Sequence, residues 1–508
     1  GNVIIPNAWN HVATTFDGTT YTAYVNGQAV FSTNNFAGRT PVSTTQRFDI
    51  GRVDNYFEGD IDDVRIYSRA LSAGEISDLL DGANVPPPPI QGNFVEESFA
   101  AGLDDPTVVD WLPDGRMLVV EKEGLVRIVN SDGSLESQPF IDIRDRVNSG
   151  PRDRGLIGLA VHPDFANNPY VYLSYSYDPP EVFGNSGAGG PDGNGARVAR
   201  IVRVTADAAT NFATANPNSE VVLVGKNSTY ENIGSPNRRP QLNDPYTCTD
   251  ASGNPIDDCI GNDETSHSIG DLEFGPDGNL YASVGDGGSF GRVDPINLRA
   301  LDINSLAGKI LRIDPITGDG PSDNPFYNGN PTANESRVFQ YGLRNPFRIA
   351  IDPTDGDVAI GDVGWTRWEE INIGAPGANF GWPAFEGGST GNLRTGGYEN
   401  LAEVQAFYAS NPDVTAPAWA RNHSDGARAI VMGDFNTGDR YPEQYQNGLF
   451  FTDFGDGGIL RVATFNPDGS IEDEDTVSSP LGPIVDISAG PDGYLYATDF
   501  VNGSISRL

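Results

Sequence analysis

The sequence predicts an all-β protein, a six-bladed β-propeller preceded by a partial β-sandwich, and three observations predict it. Glycine and proline number 61 and 37 among 508 residues, with 10% aromatics, the composition of many turns between short strands. After residue 94 a strand, a turn at or near Pro-Asp-Gly and a second strand recur six times. Many of these units are followed by a third strand ending on a basic residue. Each blade of such an array buries its faces only against its neighbours, which suits a chain too long for one ordinary core.

Residues 1–82 come first. WNHVATTF from Trp9 and Thr20 to Val25 alternate with a period of two, and the Asn26-Gly27 pair marks a hairpin turn. Further strands are expected at Phe48–Arg52 and Phe57–Tyr67, and Ser72 with Glu75 three residues on forms a capping box for a short helix over 72–80. The phrases WNHVATTFDG, AYVNG and FEGDIDDVRIYSRALSAGEI resemble the C-terminal part of a laminin-G-like, concanavalin-type jelly roll. A whole sandwich needs about twice as many strands, and half of one exposes its core and edges. Three sources are expected for the missing strands: a cleaved upstream fragment that stays bound, a neighbouring molecule in a homo-oligomer or filament, or a sequence that is incomplete. Residues 83–93 hold Pro86-Pro87-Pro88-Pro89, a semi-rigid polyproline II spacer between domains.

The propeller is expected over 94–508. Its units lie at WLPDGRMLVV (Trp111), VHPDF (Val161) with VYLSY (Val171), FGPDG (Phe274), IDPTDG (Ile351), YQNGLFF (Tyr445) and AGPDGYLYA (Ala489). Third strands follow at Leu125-Val-Arg, Ile201-Val-Arg, Ile310-Leu-Arg, Ile459-Leu-Arg and Ile505-Ser-Arg. The last unit is one strand short before Leu508, and Phe94–Ala100 is available to pair there and close the ring.

A net charge of -38 excludes nucleic acid as a partner, since nothing offsets phosphate repulsion. Only three lysines occur (Lys122, Lys226, Lys309). So acidic a surface tolerates salt, which shortens the screening length from roughly 8 Å to about 3 Å at 1 M, and it attracts divalent cations. A saline extracellular setting follows. Cys248 and Cys259 are the only cysteines; a disulfide stapling an exposed loop in an oxidising compartment is expected, worth roughly 2–3 kcal/mol, with two free surface thiols as the alternative. No run of 18 apolar residues spans a membrane. The sequence carries no initiator Met or signal peptide and reads as a mature or trimmed product, secreted or at the cell surface, a periplasmic location being the alternative.

The chemistry concentrates at Ser266–Gly288, SHSIGDLEFGPDGNLYASVGDGG, where strand, turn, strand and glycine-rich loop follow one another. His267 stands just before the first strand, where a propeller's funnel opens, and is placed to titrate in a pocket. His162 in a blade turn is expected to be structural and His423 in a polar loop to be solvated.

Several phrases then resemble the soluble quinoprotein glucose/sorbosone dehydrogenases, six-bladed calcium-binding propellers that oxidise sugars with pyrroloquinoline quinone (PQQ). They are RGLIGLAVHPDFANNPY (Arg154), HSIGDLEFGPDG (His267), LAGKILRI (Leu306), YGLRNP (Tyr341), GDVGW (Gly361), EEIN (Glu369) and FGWP (Phe380). The resemblance implies His267 as the base that takes the proton of the sugar's C1 hydroxyl, against the plainer role of capping a strand end. It implies Arg344 and Asn345 as catalytic groups holding the quinone oxygens, and Gly364 and Trp365 as main-chain ligands of a calcium ion, a metal that takes six to eight hard oxygens. Asp499 survives at the family's acidic position near the end, and Trp382 is a cofactor-side aromatic if it is not core. The family grips the three PQQ carboxylates with a lysine and two arginines; here those positions fall on Gly455 or Asp456, Pro483 and Val485. Ser266 beside His267 and Asp153 in the earlier loop also differ.

The expected function is therefore an extracellular calcium-binding oxidoreductase of the PQQ-dependent sugar dehydrogenase type. The alternative is a non-catalytic glycan-binding or assembly scaffold that keeps the propeller and has lost PQQ.

Overall fold

Six innermost strands lie side by side in a closed cycle: Pro106–Trp111, Leu156–Val161, Ile269–Phe274, Pro346–Ile351, Ile430–Phe435 and Ile484–Ala489, the last packing back on the first. This is a computed structural model, and it describes residues 4, 8–16, 19–35, 70, 71, 76, 94 and 96–508 except 185, 186, 188, 242, 243, 388–392, 439 and 467–469. The chain divides into two units, 1–92 and 93–508.

In the first unit, Val12–Phe16, Tyr21–Val25 and Gln28–Thr33 form an antiparallel three-stranded sheet. The Asn26-Gly27 turn is made as expected, with φ of 50° and 75°. Tyr24 is buried against Leu71 and Ile76. The strands expected at 48–52 and 57–67, the helix over 72–80 apart from helical Ile76, and the spacer at 83–93 lie outside the described residues.

In the second unit each inner strand begins an antiparallel sheet of four strands, to which Ile260–Asn262 adds a fifth in blade 2. Blade 1 continues through Met117–Glu121, Leu125–Val129 and Ile141–Asp142, and blade 2 through Tyr170–Tyr177, Arg197–Thr205 and Val221–Val224. Blade 3 continues through Leu280–Val284, Lys309–Ile313 and Val338–Tyr341. Blade 4 adds Val358–Asp362, Trp368–Ile373 and Trp419–Asn422, and blade 5 adds Leu449–Asp453, Arg461–Phe465 and Ile471–Thr476. Blade 6 has Leu495–Asp499 and Ser504–Arg507, and its fourth strand is Glu97–Ala101, paired Arg507 to Glu97 and Ser504 to Ala101. The ring is thus closed by the segment expected to close it.

Polar side chains on the inner strands lock neighbouring blades. Asp110 accepts from Val161 N at 2.6 Å, Asp271 from Ile349 N at 3.2 Å, Asp434 from Ala489 N at 2.6 Å and Asp486 from Val109 N at 3.3 Å. Arg348 of blade 4, fully buried, donates to the carbonyls of Ile157, Val485 and Thr107, so one guanidinium ties blade 4 to blades 2, 6 and 1.

Cys248 and Cys259 are joined, with Cα atoms 5.5 Å apart. The expected exposed staple is instead buried, at 7% and 3% exposure. Ile260–Asn262 returns to pair with Arg197–Ala199, which folds the preceding loop onto the blade 2 core.

Candidate active site

His267 leads into the inner strand of blade 3 with a φ of 54°, a left-handed conformation that a side-chain-bearing residue keeps only when its surroundings impose it. Three contacts impose it. His267 N donates to Asp153 Oδ2 at 2.8 Å, Ser268 Oγ donates to Asp153 O at 2.7 Å, and Gly287 N donates to His267 O at 2.8 Å. Residue 285 has to be glycine, because a Cβ there would lie 2.3 Å from His267 O.

The imidazole is 1% exposed, and its Nδ1 lies 2.8 Å from Asp286 Oδ1. Asp286 also accepts from Gly288 N at 2.8 Å and from Trp382 Nε1 at 2.7 Å. An ionised carboxylate only accepts, so Nδ1 carries a proton toward it, and in the neutral ring Nε2 is then the acceptor. Nε2 is buried and has no protein partner among the described residues. Burial alone raises the Asp286 carboxyl, but His267 and then Arg344 outweigh it and hold the group below the ordinary carboxylate range. Sequence reasoning quoted Asp286 only as part of a glycine-rich loop. The available signal was a carboxylate at the end of the second strand, directly across the hairpin from the histidine that opens the first.

Asp286 is itself fixed from behind. Its N–H donates to Arg344 O and its carbonyl accepts Arg299 Nε, both at 2.7 Å. Arg299 belongs to the short helix Pro295–Leu301, whose end is closed by Lys309 Nζ donating to the carbonyls of Arg299, Ala300 and Ala307.

Arg344, in the connection from blade 3 to blade 4, is 2% exposed. Nη1 donates to Val363 O at 2.8 Å and Gly364 O at 2.7 Å, while Nε and Nη2 have no partner among the described residues. Asp362 accepts the N–H groups of Arg344 and Asn345, and burial pushes its carboxyl up to about 7. Asn345 enters through its backbone, donating to Asp362 and accepting from Val363 N at 3.0 Å. Trp365 N donates to Glu386 Oε1 at 3.0 Å. Gly342, Arg344, Gly364, Trp365, Trp382 and Glu386 line one pocket. The structure therefore brings His267, Arg344, Asn345, Gly364, Trp365 and Trp382 into one contiguous wall.

Trp382 is 4% exposed and packs with Tyr398 and Trp365, so it is a core aromatic whose indole N–H serves Asp286. Asp499 is not joined to that wall by any hydrogen bond; its carboxylate accepts from Val501 N, Asn502 N and Asn502 Nδ2 and so caps its own turn. His423 departs from the solvated loop expected of it: Nε2 lies 2.7 Å from Glu369 Oε1, and Glu369 is buried, its carboxyl raised by that burial. Glu369 also accepts Gly364 N and Ile430 N, joining the Gly364 loop to blade 5.

The wall built by blades 5 and 6 has different contents. Gly455 offers no side chain, and the stem of Arg428 fills that space, 2.2 Å from where a Cβ would sit. Asp456 is spent on Arg421 at 3.0 Å and Arg461 at 2.5 Å. Pro483 O accepts from Phe500 N, and Val485 O accepts from Arg348.

Taken together, these features define a propeller whose funnel holds an acid-oriented imidazole beside a buried guanidinium. The chain belongs to the glucose/sorbosone dehydrogenase family, whose pattern matches residues 103–231 and 257–507. Residues 1–77 match the concanavalin A-like lectin/glucanase superfamily. The chain is 30% identical over 424 residues to an uncharacterized protein of Synechocystis sp., covering 80% of this chain and 84% of that one. It is 26% identical over 338 residues to quinoprotein glucose dehydrogenase B of Acinetobacter calcoaceticus, covering 62% and 59%. The apo soluble aldose sugar dehydrogenase of Escherichia coli superposes with a TM-score of 0.56 at 22% identity, covering 81% of this chain and 98% of that one, a likeness of fold.

The residues present fit the redox end of a quinone. The unpartnered Nε and Nη2 of Arg344 are buried donors suited to carbonyl oxygens, and His267 Nε2 is another buried atom without a partner, linked to Arg344 through Asp286. For calcium the oxygens offered are main-chain ones. Gly364 O already accepts Arg344 Nη1, and no cluster of three His, Cys, Asp or Glu suited to a metal occurs among the described residues.

Proposed function

We propose that this chain is an oxidoreductase of the PQQ-dependent aldose dehydrogenase type, acting in an oxidising extracellular or periplasmic compartment. One observation carries the reading: His267 Nε2 is buried without a partner, its ring set by Asp286, and Asp286 N donates to the carbonyl of Arg344, whose Nε and Nη2 are also buried and unpartnered among the described residues. In this reading Nε2 takes the proton of a sugar's C1 hydroxyl, a role worth about 10² to 10⁴ in rate. Asp286 stabilises the imidazolium that forms. Arg344 and the Asn345 segment hold the acceptor's oxygens where negative charge develops. A quinone, when bound, supplies the two-electron acceptor for the C1 hydride. Gly364 and Trp365 are the residues whose carbonyls would hold a calcium ion, and the Gly364 carbonyl would have to be shared with Arg344 Nη1.

The test is reconstitution with PQQ and calcium followed by a dye-linked aldose oxidation assay. Activity in the native chain that falls at least about 10³-fold in His267→Gln, with Tm unchanged, supports the proposal. Absence of PQQ binding at micromolar concentration removes it. The second reading, a scaffold that binds a glycan or assembles copies through the N-terminal sheet, is favoured by the uncharged side chains at Gly455, Pro483 and Val485. It predicts glycan retention without oxidation, or a change of size on calcium chelation.

A further inference from the structure

Tyr398 stands behind the His267–Asp286 pair without touching it. It opens the short helix Tyr398–Asn400, in the connection between the third and fourth strands of blade 4, and its side chain is fully buried. The ring packs edge-on against Trp365 and Trp382, with centroids 4.9 Å and 5.3 Å away. The hydroxyl reaches across to blade 3. There it accepts from Asn297 Nδ2 at 2.8 Å and from Asp294 N at 3.1 Å, and it donates to Arg292 O at 3.5 Å. A tyrosine needed only for packing could be phenylalanine, because burying a hydroxyl costs free energy unless it is paired. Here it is paired with three groups of the segment that follows Asp286.

That segment holds Asp286 by its main chain. Asn297 belongs to the helix Pro295–Leu301, the same helix that carries Arg299, and Arg299 Nε donates to Asp286 O at 2.7 Å. The Asn297 carboxamide also lies against Gly288, where a Cβ would sit 1.5 Å from Asn297 Oδ1, and Gly288 N donates to Asp286 Oδ1 at 2.8 Å. From the opposite side Trp382, against which the Tyr398 ring packs, donates Nε1 to Asp286 Oδ2 at 2.7 Å. The backbone of Asp286 is thus held from blade 3 and its carboxylate from blade 4. Tyr398 touches both supports, and the carboxylate they fix is the one that meets His267 Nδ1.

We infer that Tyr398 is a positioning residue for the His267–Asp286 pair. Its ring fixes the indole that holds the carboxylate, and its hydroxyl fixes the helix that holds the main chain of the same aspartate. Its effect on rate rests on the proposed function; its effect on the imidazole does not.

Tyr398→Phe removes one oxygen and keeps the ring. In proton NMR of the full chain without cofactor, the His267 Nδ1 proton is held by a carboxylate and resonates far downfield; in Tyr398→Phe it should move upfield as that hydrogen bond lengthens. After reconstitution with PQQ and calcium, kcat for aldose oxidation should fall about tenfold with KM unchanged, the upper end for one lost hydrogen bond. Asn297→Ala breaks the same contact from the helix side and should move the same proton in the same direction, which keeps the test open if Tyr398→Phe does not fold. A lower Tm with the proton and kcat unmoved assigns Tyr398 to packing alone and overturns the inference, as does a rise in KM at constant kcat. A proton that moves in the variants while the native chain oxidises no aldose leaves the positioning role standing and defeats the oxidoreductase reading alone.

Discussion

Two walls of one funnel have diverged. The wall from blades 3 and 4 carries a linked set in which every group is oriented by another: His267 by Asp286, Asp286 by Trp382 and Arg299, Arg344 by Val363 and Gly364. Blades 5 and 6 offer a glycine, a proline and a valine at positions 455, 483 and 485, where the family resemblance implies cations, and Asp456 is paired with Arg421 and Arg461. The difference teaches that, under the proposed function, proton transfer and cofactor anchoring rest on separate parts of the molecule. The unit around His267 is buried and hydrogen-bonded, while positions 455, 483 and 485 carry no charged side chain.

The sharpest way to break the comparison is Asp286→Asn. An amide presents either a donor or a neutral acceptor to Nδ1, so the imidazole loses its fixed tautomer. Oxidation by the reconstituted chain should fall by about 10³, on the order of 4 kcal/mol, and nitrogen NMR should show His267 changing tautomer. An unchanged spectrum would mean that Asp286 does not orient the ring.

Restoring the second wall comes next. Pro483→Arg with Gly455→Lys, the latter made together with Arg428→Gly because the Cβ and Cγ of Arg428 fill the space over Gly455, should tighten PQQ by about tenfold or more per restored ion pair. Titration of PQQ fluorescence measures it. No gain would show that the blade 5 and 6 wall no longer faces the ligand.

How much of this was legible beforehand follows the same division. Ring closure by the segment after residue 94 was readable because the last unit lacked a strand and an alternating segment stood unused. His267, Arg344 and Gly364 were readable from contiguous phrases. Asp286 was not, since its pairing depends on a hairpin register that places the end of one strand against the start of its partner. Arg348 was hidden as an ordinary arginine in an apolar run; its carbonyl partners come from blades 1, 2 and 6, far away in sequence. His423 looked solvated for the same reason, its partner Glu369 lying across two strands of blade 4.

A smaller effect separates the walls by pH. On the blade 4 side, burial pushes Asp362 up to about 7 and Glu370 up to about 8. On the axis, Asp110, Asp434 and Asp486 are likewise pushed up to about 7 by burial. A carboxyl whose folded pKa is raised binds its proton more tightly when folded. Its stabilising contribution is complete below the unfolded value of about 4 and is lost as pH rises through the folded value. Tm should therefore decline between pH 5 and 8.5, and Asp362→Asn should flatten part of that decline. A Tm that rises over the same interval would contradict the assignment.

The strand that seals the ring has a consequence for biosynthesis. Glu97 and its partner Arg507 are 410 residues apart, so at about 5–20 residues per second the earlier strand waits on the order of 20–80 s for its mate to leave the ribosome. Until then Glu97–Ala101 is a lone strand without the sheet it joins, since the other three strands of blade 6 are the last part of the propeller to be made.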